Sequence, residues 1–96
     1  MRVKLADPAI RDLDGIAAYI GTDSANAANR VVKRILSALE LLRDFPNMGR
    51  PAKAGASREL VIPRTPYIAT YLVLNDTVWV TRIMHSAMRW PPVDDE

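Results

Sequence analysis

An α+β fold, a two-layer sandwich with a helical hairpin packed on a small, mainly antiparallel sheet, is what this sequence predicts. Three observations lead there: two long strand-like runs that meet at Asn75-Asp76, two consecutive amphipathic helical stretches before residue 45, and a short alternating run at the N-terminus. At 96 residues the chain forms a single domain, 1–96, with a modest core.

Arg2 to Ala6 alternates Val3 and Leu5 against Arg2 and Lys4, the pattern of a short edge strand. Asp7-Pro8 then opens a helix, with Asp7 as the N-cap and Pro8 at the first helical position, where its missing N–H costs nothing. Ile10, Leu13, Ile16, Ala17 and Ile20 recur at helical spacing, Arg11, Asp12 and Asp14 face water, and Gly21 supplies a left-handed residue to end the helix. Tyr19 is expected to pack at the helix pair.

Asp23 or Ser24 caps a second helix with an apolar stripe of Ala28, Val31, Val32, Ile35, Leu39 and Leu42, widened by Leu36, Ala38 and Leu41. Phe45-Pro46 stops it. Residues 47–57 read as a Gly- and Pro-rich loop that carries Arg50 and Lys53, and Arg58 to Ile62 as a strand with Leu60 and Ile62 on one face. Pro63 to Pro66 turns that strand into the hairpin, which gives the order β-α-α-β-β-β.

The hairpin runs from Tyr67 to Leu74 and from Val78 to Met84, and Asn75-Asp76 tolerates the positive φ of a two-residue turn. Such a loop predicts Leu74 opposite Thr77, Leu72 opposite Trp79, Thr70 opposite Thr81 and Ile68 opposite Ile83. The other face then carries Tyr67, Ala69, Tyr71 and Val73 with Val78, Val80, Arg82 and Met84. Both faces are apolar, yet two helices cover only one. The second face, with the basic loop edges, is the expected partner surface.

Composition narrows the function classes. With no cysteine, disulfides and thiolate metal sites are excluded. No run approaches the length of a membrane span and the N-terminus lacks a signal-type apolar stretch, so a cytoplasmic protein is expected. Residues 1–44 hold seven Lys/Arg against six Asp/Glu, and residues 45–93 hold six against two. The basic excess lies in the half that carries the hairpin and suits an anionic partner, nucleic acid or an acidic protein surface.

His85, the single histidine, sits where the last strand runs out, and suits either general acid–base chemistry or a strand-end hydrogen bond to backbone. No carboxylate orients it into a triad, and one histidine without cysteine makes no metal site, so neither cofactor nor metal is expected. Arg82, among apolar neighbours, calls for a partner, for which Glu59 on the neighbouring strand is the expected carboxylate. Trp90, flanked by Arg89 and followed by Pro91-Pro92, either anchors the C-terminus or stacks on a base.

The sequence F-P-N-M-G-R-P after the second helix, R-E-L-V-I-P-x-x-P-Y before the hairpin, and V-W-V-T-R-I-M-H-S-A-M-R-W-P after its turn resemble the RelE/ParE superfamily of bacterial toxins along essentially the whole chain. The resemblance implies a toxin paired with an antitoxin whose extended and helical segment wraps and neutralises it, in a hetero-oligomer. RelE-like members cut messenger RNA on the ribosome; ParE-like members poison DNA gyrase. For the RNase branch it implies a catalytic set of His85, Arg64, Arg82 and Arg89, with Arg64 close to a basic residue of the RelE centre. Arg50 and Lys53 fall where RelE has its basic loop, and with Arg58 and Trp90 they are the expected target or antitoxin contacts. Ala87 stands where RelE has a catalytic arginine and no C-terminal tyrosine follows. The R-I-M-H-S-A-M stretch and the long helical hairpin look more like ParE.

Overall fold

Five strands form one sheet in the order β1-β5-β4-β3-β2. The computed structural model describes residues 1–53 and 55–87. Along the chain come β1 (Arg2–Leu5), α1 (Asp7–Gly21), α2 (Ala25–Glu40), a 3-10 turn (Leu41–Arg43), β2 (Arg50–Pro51), β3 (Arg58–Val61), β4 (Tyr67–Leu74) and β5 (Thr77–His85). Neighbours are antiparallel except β1 and β5, which run parallel because the helical hairpin carries the chain away from β1 before the meander returns to it. The expected α+β architecture is the one observed, with β2 as an additional two-residue strand inside the 47–57 loop.

Both helices lie on one face of the sheet. Ala9 from α1 and Ile35, Ala38 and Leu39 from α2, with Leu42, close over Leu60, Ile62, Tyr67, Ala69, Tyr71, Val78, Val80 and Ile83. Ser24 caps α2, its Oγ accepting from the Ala27 amide at 3.0 Å. Asp7, in contrast, is the first helical residue, Ala6 holds the cap position, and no side-chain cap bond forms. Gly21 stays helical and Thr22 ends α1 in right-handed geometry, its hydroxyl donating to the Tyr19 carbonyl at 2.7 Å, so no left-handed glycine is needed. Tyr19 is 77% exposed, and Leu36 and Leu41 are also exposed, because the sheet spans only the inner edge of the helix pair.

The hairpin turn forms as expected, with Asn75 at φ 55°. Register follows the expectation from Leu74↔Thr77 through Leu72↔Trp79 to Tyr71↔Val80 and then shifts, so that Thr70 pairs with Arg82 and Ile68 with Met84. Thr81 is the extra residue of a β-bulge, its hydroxyl 2.8 Å from that of Thr70. The bulge corrects the expected faces: Ile83, not Arg82, joins Val78 and Val80 in the core.

The loop before β2 is clamped from the sheet. The Tyr71 hydroxyl donates to the Pro46 carbonyl at 2.7 Å and accepts from the Gly49 amide at 2.9 Å. A Cβ at Gly49 would lie 2.7 Å from the Tyr71 ring and 2.8 Å from the Glu59 carbonyl, so the close approach requires glycine.

Candidate functional site

The face turned away from the helices is a groove of ≈ 810 Å³. Its floor is Ile68, Thr70, Thr81 and Met84, one wall is the Arg50–Lys53 segment, and the other is Arg82, His85 and Ser86. A second recess of ≈ 480 Å³ lies around the edge of β5 against α1, and Arg82, Met84 and His85 border both. The end of β5 is therefore a ridge between two concavities.

Arg82 owes its position to the bulge and to Asp12. Its Nε donates to Asp12 Oδ2 at 2.7 Å and its Nη2 to Oδ1 at 3.1 Å, while Oδ2 also accepts the Ile83 amide at 2.9 Å. β1 ends at Leu5, opposite Val80, so beyond that point Asp12 does for the Ile83 N–H what a strand would do. The hydrogen bond to Asp12 raises the arginine's pKa further, against the opposing effect of burial. The expected Arg82–Glu59 pair does not form. Glu59 lies opposite Arg50 on β2, whose Nη2 is 3.1 Å away, whereas Arg82 is two strands distant. Asp12, expected to face water, is the partner that sequence reasoning missed. Its signal was its place in the helical stripe, three residues after Ala9 and four before Ile16.

His85 has its Nδ1 engaged as acceptor of the Ala87 amide at 3.0 Å, so the neutral ring carries its proton on Nε2. Its ring meets that of Tyr67 edge-on at 5.5 Å. Burial, and secondarily Tyr19, push the Tyr67 phenol above its ordinary pKa. The described carboxylates that line the two recesses, Asp12 and Glu59, are bound to Arg82 and Arg50.

The structure thus gathers four of the expected site residues, Arg50, Lys53, Arg82 and His85, on one groove. Arg64 does not line it; it projects from the β3–β4 turn at φ 61°. Arg58 turns inward, donating to the Gly49 carbonyl at 2.7 Å, and braces the loop that Tyr71 clamps. Arg89 and Trp90 lie outside the described residues. Among the described residues no cluster of three or more His, Cys, Asp or Glu is placed to hold a metal, and no helix is long and apolar enough to cross a membrane.

The chain resembles known proteins along nearly its whole length. It is 41% identical over 92 residues to the putative toxin Y4kP of Sinorhizobium fredii, covering 96% of this chain and 95% of that one. It is 38% identical over 79 residues to toxin RelE2 of Caulobacter vibrioides, covering 82% and 88%. Among solved structures, the chromosomal ParDE toxin–antitoxin system from P. aeruginosa superposes with a TM-score of 0.81 at 27% identity, covering 88% of this chain and 95% of that one. The intact E. coli RelBE complex shares the fold, with a TM-score of 0.59 at 11% identity over 92% and 98%. The family described as ParE toxin of type II toxin–antitoxin system, parDE, matches residues 3–90, and the chain belongs to it.

Proposed function

We propose that this toxin arrests growth in the cytoplasm by binding and inhibiting DNA gyrase, and that a cognate antitoxin silences it in a hetero-oligomer. The observation that carries the reading is the engagement of the groove's central groups. Arg82 is bound bidentately to Asp12, and His85 has Nδ1 committed to a backbone amide with no carboxylate bonded to it among the described residues. A nuclease groove needs a cation ready for the scissile phosphate and an oriented acid–base group. The similarity to a ParDE system at a TM-score of 0.81 supports the same branch. Antitoxin cover on the groove would explain why an apolar floor of Ile68 and Met84 is left without helices.

RelE-like cleavage of ribosome-bound messenger RNA is the second reading, favoured by the convergence of Arg50, Lys53, Arg82 and His85 on one groove. The purified toxin decides between them in a gyrase supercoiling assay run beside primer extension on cellular transcripts after induction. Inhibited supercoiling with intact transcripts is the expected result. Codon-phased RNA ends with supercoiling unaffected would replace the proposal by the RNase reading.

A further inference from the structure

Among the described residues, positive φ occurs at three positions, and two need no special account: Gly55, and Asn75 at the hairpin turn. Arg64, at φ 61°, is different. The Ile62–Thr65 turn is closed by the Thr65 amide on the Ile62 carbonyl at 3.3 Å, with Pro63 second and Arg64 third. Pro suits the second position of such a turn, and the third wants Gly or Asn. A long, branched cation there costs stability that either residue would return.

Nothing within the fold accounts for that cost. The Arg64 side chain is exposed and makes no hydrogen bond or ion pair with another described residue. The turn beneath it is rigid: the Thr65 hydroxyl donates to the Ile62 carbonyl at 3.0 Å and accepts from the Tyr67 amide at 3.1 Å, and the Ser86 amide donates to the Pro66 carbonyl. A strained residue on a braced turn, with a free guanidinium at its tip, is a pre-organised contact group. Arg64 also lines neither recess, so it is not part of the apolar floor that asks for cover.

We propose that Arg64 is the toxin's anchor on a carboxylate of the protein it arrests, held at a backbone cost because the left-handed turn aims its planar fork outward. Arginine binds carboxylate bidentately, and a single such contact at the centre of an interface commonly dominates its affinity. The inference rests on the protein-target reading above, and its test separates the two.

Arg64→Gly and Arg64→Asn relieve the backbone and remove the charge. Both are expected to melt at or above the wild-type temperature, Arg64→Gly by about 2–6 °C. Both should bind the antitoxin as wild type does, yet require at least about tenfold more toxin to arrest growth or inhibit the target. Arg64→Lys, charged but without the fork, should recover only part of the loss. Full toxicity in either neutral variant overturns the proposal, and so does a loss confined to antitoxin affinity. A lower melting temperature in Arg64→Asn removes the strain argument and overturns it equally. Loss of RNA cleavage in the neutral variants would assign Arg64 to a phosphate instead. The failure of the gyrase reading itself is seen separately, in wild-type toxin that leaves supercoiling unchanged.

Discussion

The two halves of β5 are built differently. Thr77 to Val80 is paired on both sides, with β1 in parallel and β4 in antiparallel register, and Val78 and Val80 are fully buried beneath the helices. Among the described residues, Thr81 to His85 is paired with β4 alone, starts with a bulge, and has Asp12 of α1 at its other edge. The first half carries the fold. The second half carries the groove, because a strand freed from one neighbour can present two successive side chains, Thr81 and Arg82, to the same concavity.

The sharpest way to break this comparison is to make the halves alike. Inserting one alanine between Thr70 and Tyr71, opposite Thr81, would extend the regular register, drive Arg82 into the core position of Ile83 and turn Ile83 outward. We expect the loss of most of the fold's stability, read as insoluble expression or loss of a cooperative melt. A soluble, antitoxin-binding insertion variant would show that the bulge is dispensable.

A smaller effect is expected at Asp12. Asp12→Ala removes the acceptor of the Ile83 N–H and the bidentate carboxylate on the half-buried Arg82 guanidinium, a loss of about 2–3 kcal/mol in chemical denaturation. Asp12→Asn keeps an acceptor for the amide and should lose roughly half of that. Equal losses in the two variants would mean that the ion pair, not the strand-like hydrogen bond, holds the second half in place.

How much of this was legible in the sequence follows the same division. Helical periodicity located both helices, Asp23-Ser24 announced the second one's cap, which Ser24 supplies, and Asn75-Asp76 fixed the register of the first four hairpin pairs. The bulge was missed because a two-residue turn sets the register only until an extra residue intervenes. Its trace was the adjacent polar pair Thr81-Arg82 inside V-W-V-T-R-I-M, where strict alternation allows one polar residue at a time. The missed bulge then misassigned Arg82 to Glu59. Strand β2 was read as loop because two residues, one of them Pro51, carry no period. The conformation of Arg64 had no trace, since Pro-Arg reads as an ordinary turn dipeptide.

The smallest expected effect is a pH dependence at the base of the second half. Tyr67, 7% exposed and paired with His85, has a phenol whose pKa burial raises above 10. A raised folded-state pKa contributes stability that is complete below the unfolded value of about 10 and is lost as pH rises through the folded value. The melting temperature should therefore fall above pH 10, and Tyr67→Phe should flatten that limb. An unchanged alkaline limb in Tyr67→Phe would assign it to other groups.

The central claim is that the groove does not cut RNA, and His85→Ala tests it most directly. With folding checked by antitoxin binding, induced His85→Ala should arrest growth as fast as the wild-type toxin, since the imidazole's one hydrogen bond to a described residue, from the Ala87 amide, only closes the strand end. Loss of growth arrest in a folded His85→Ala toxin, together with the disappearance of new RNA ends, would contradict the account and make the ridge of β5 a nuclease centre.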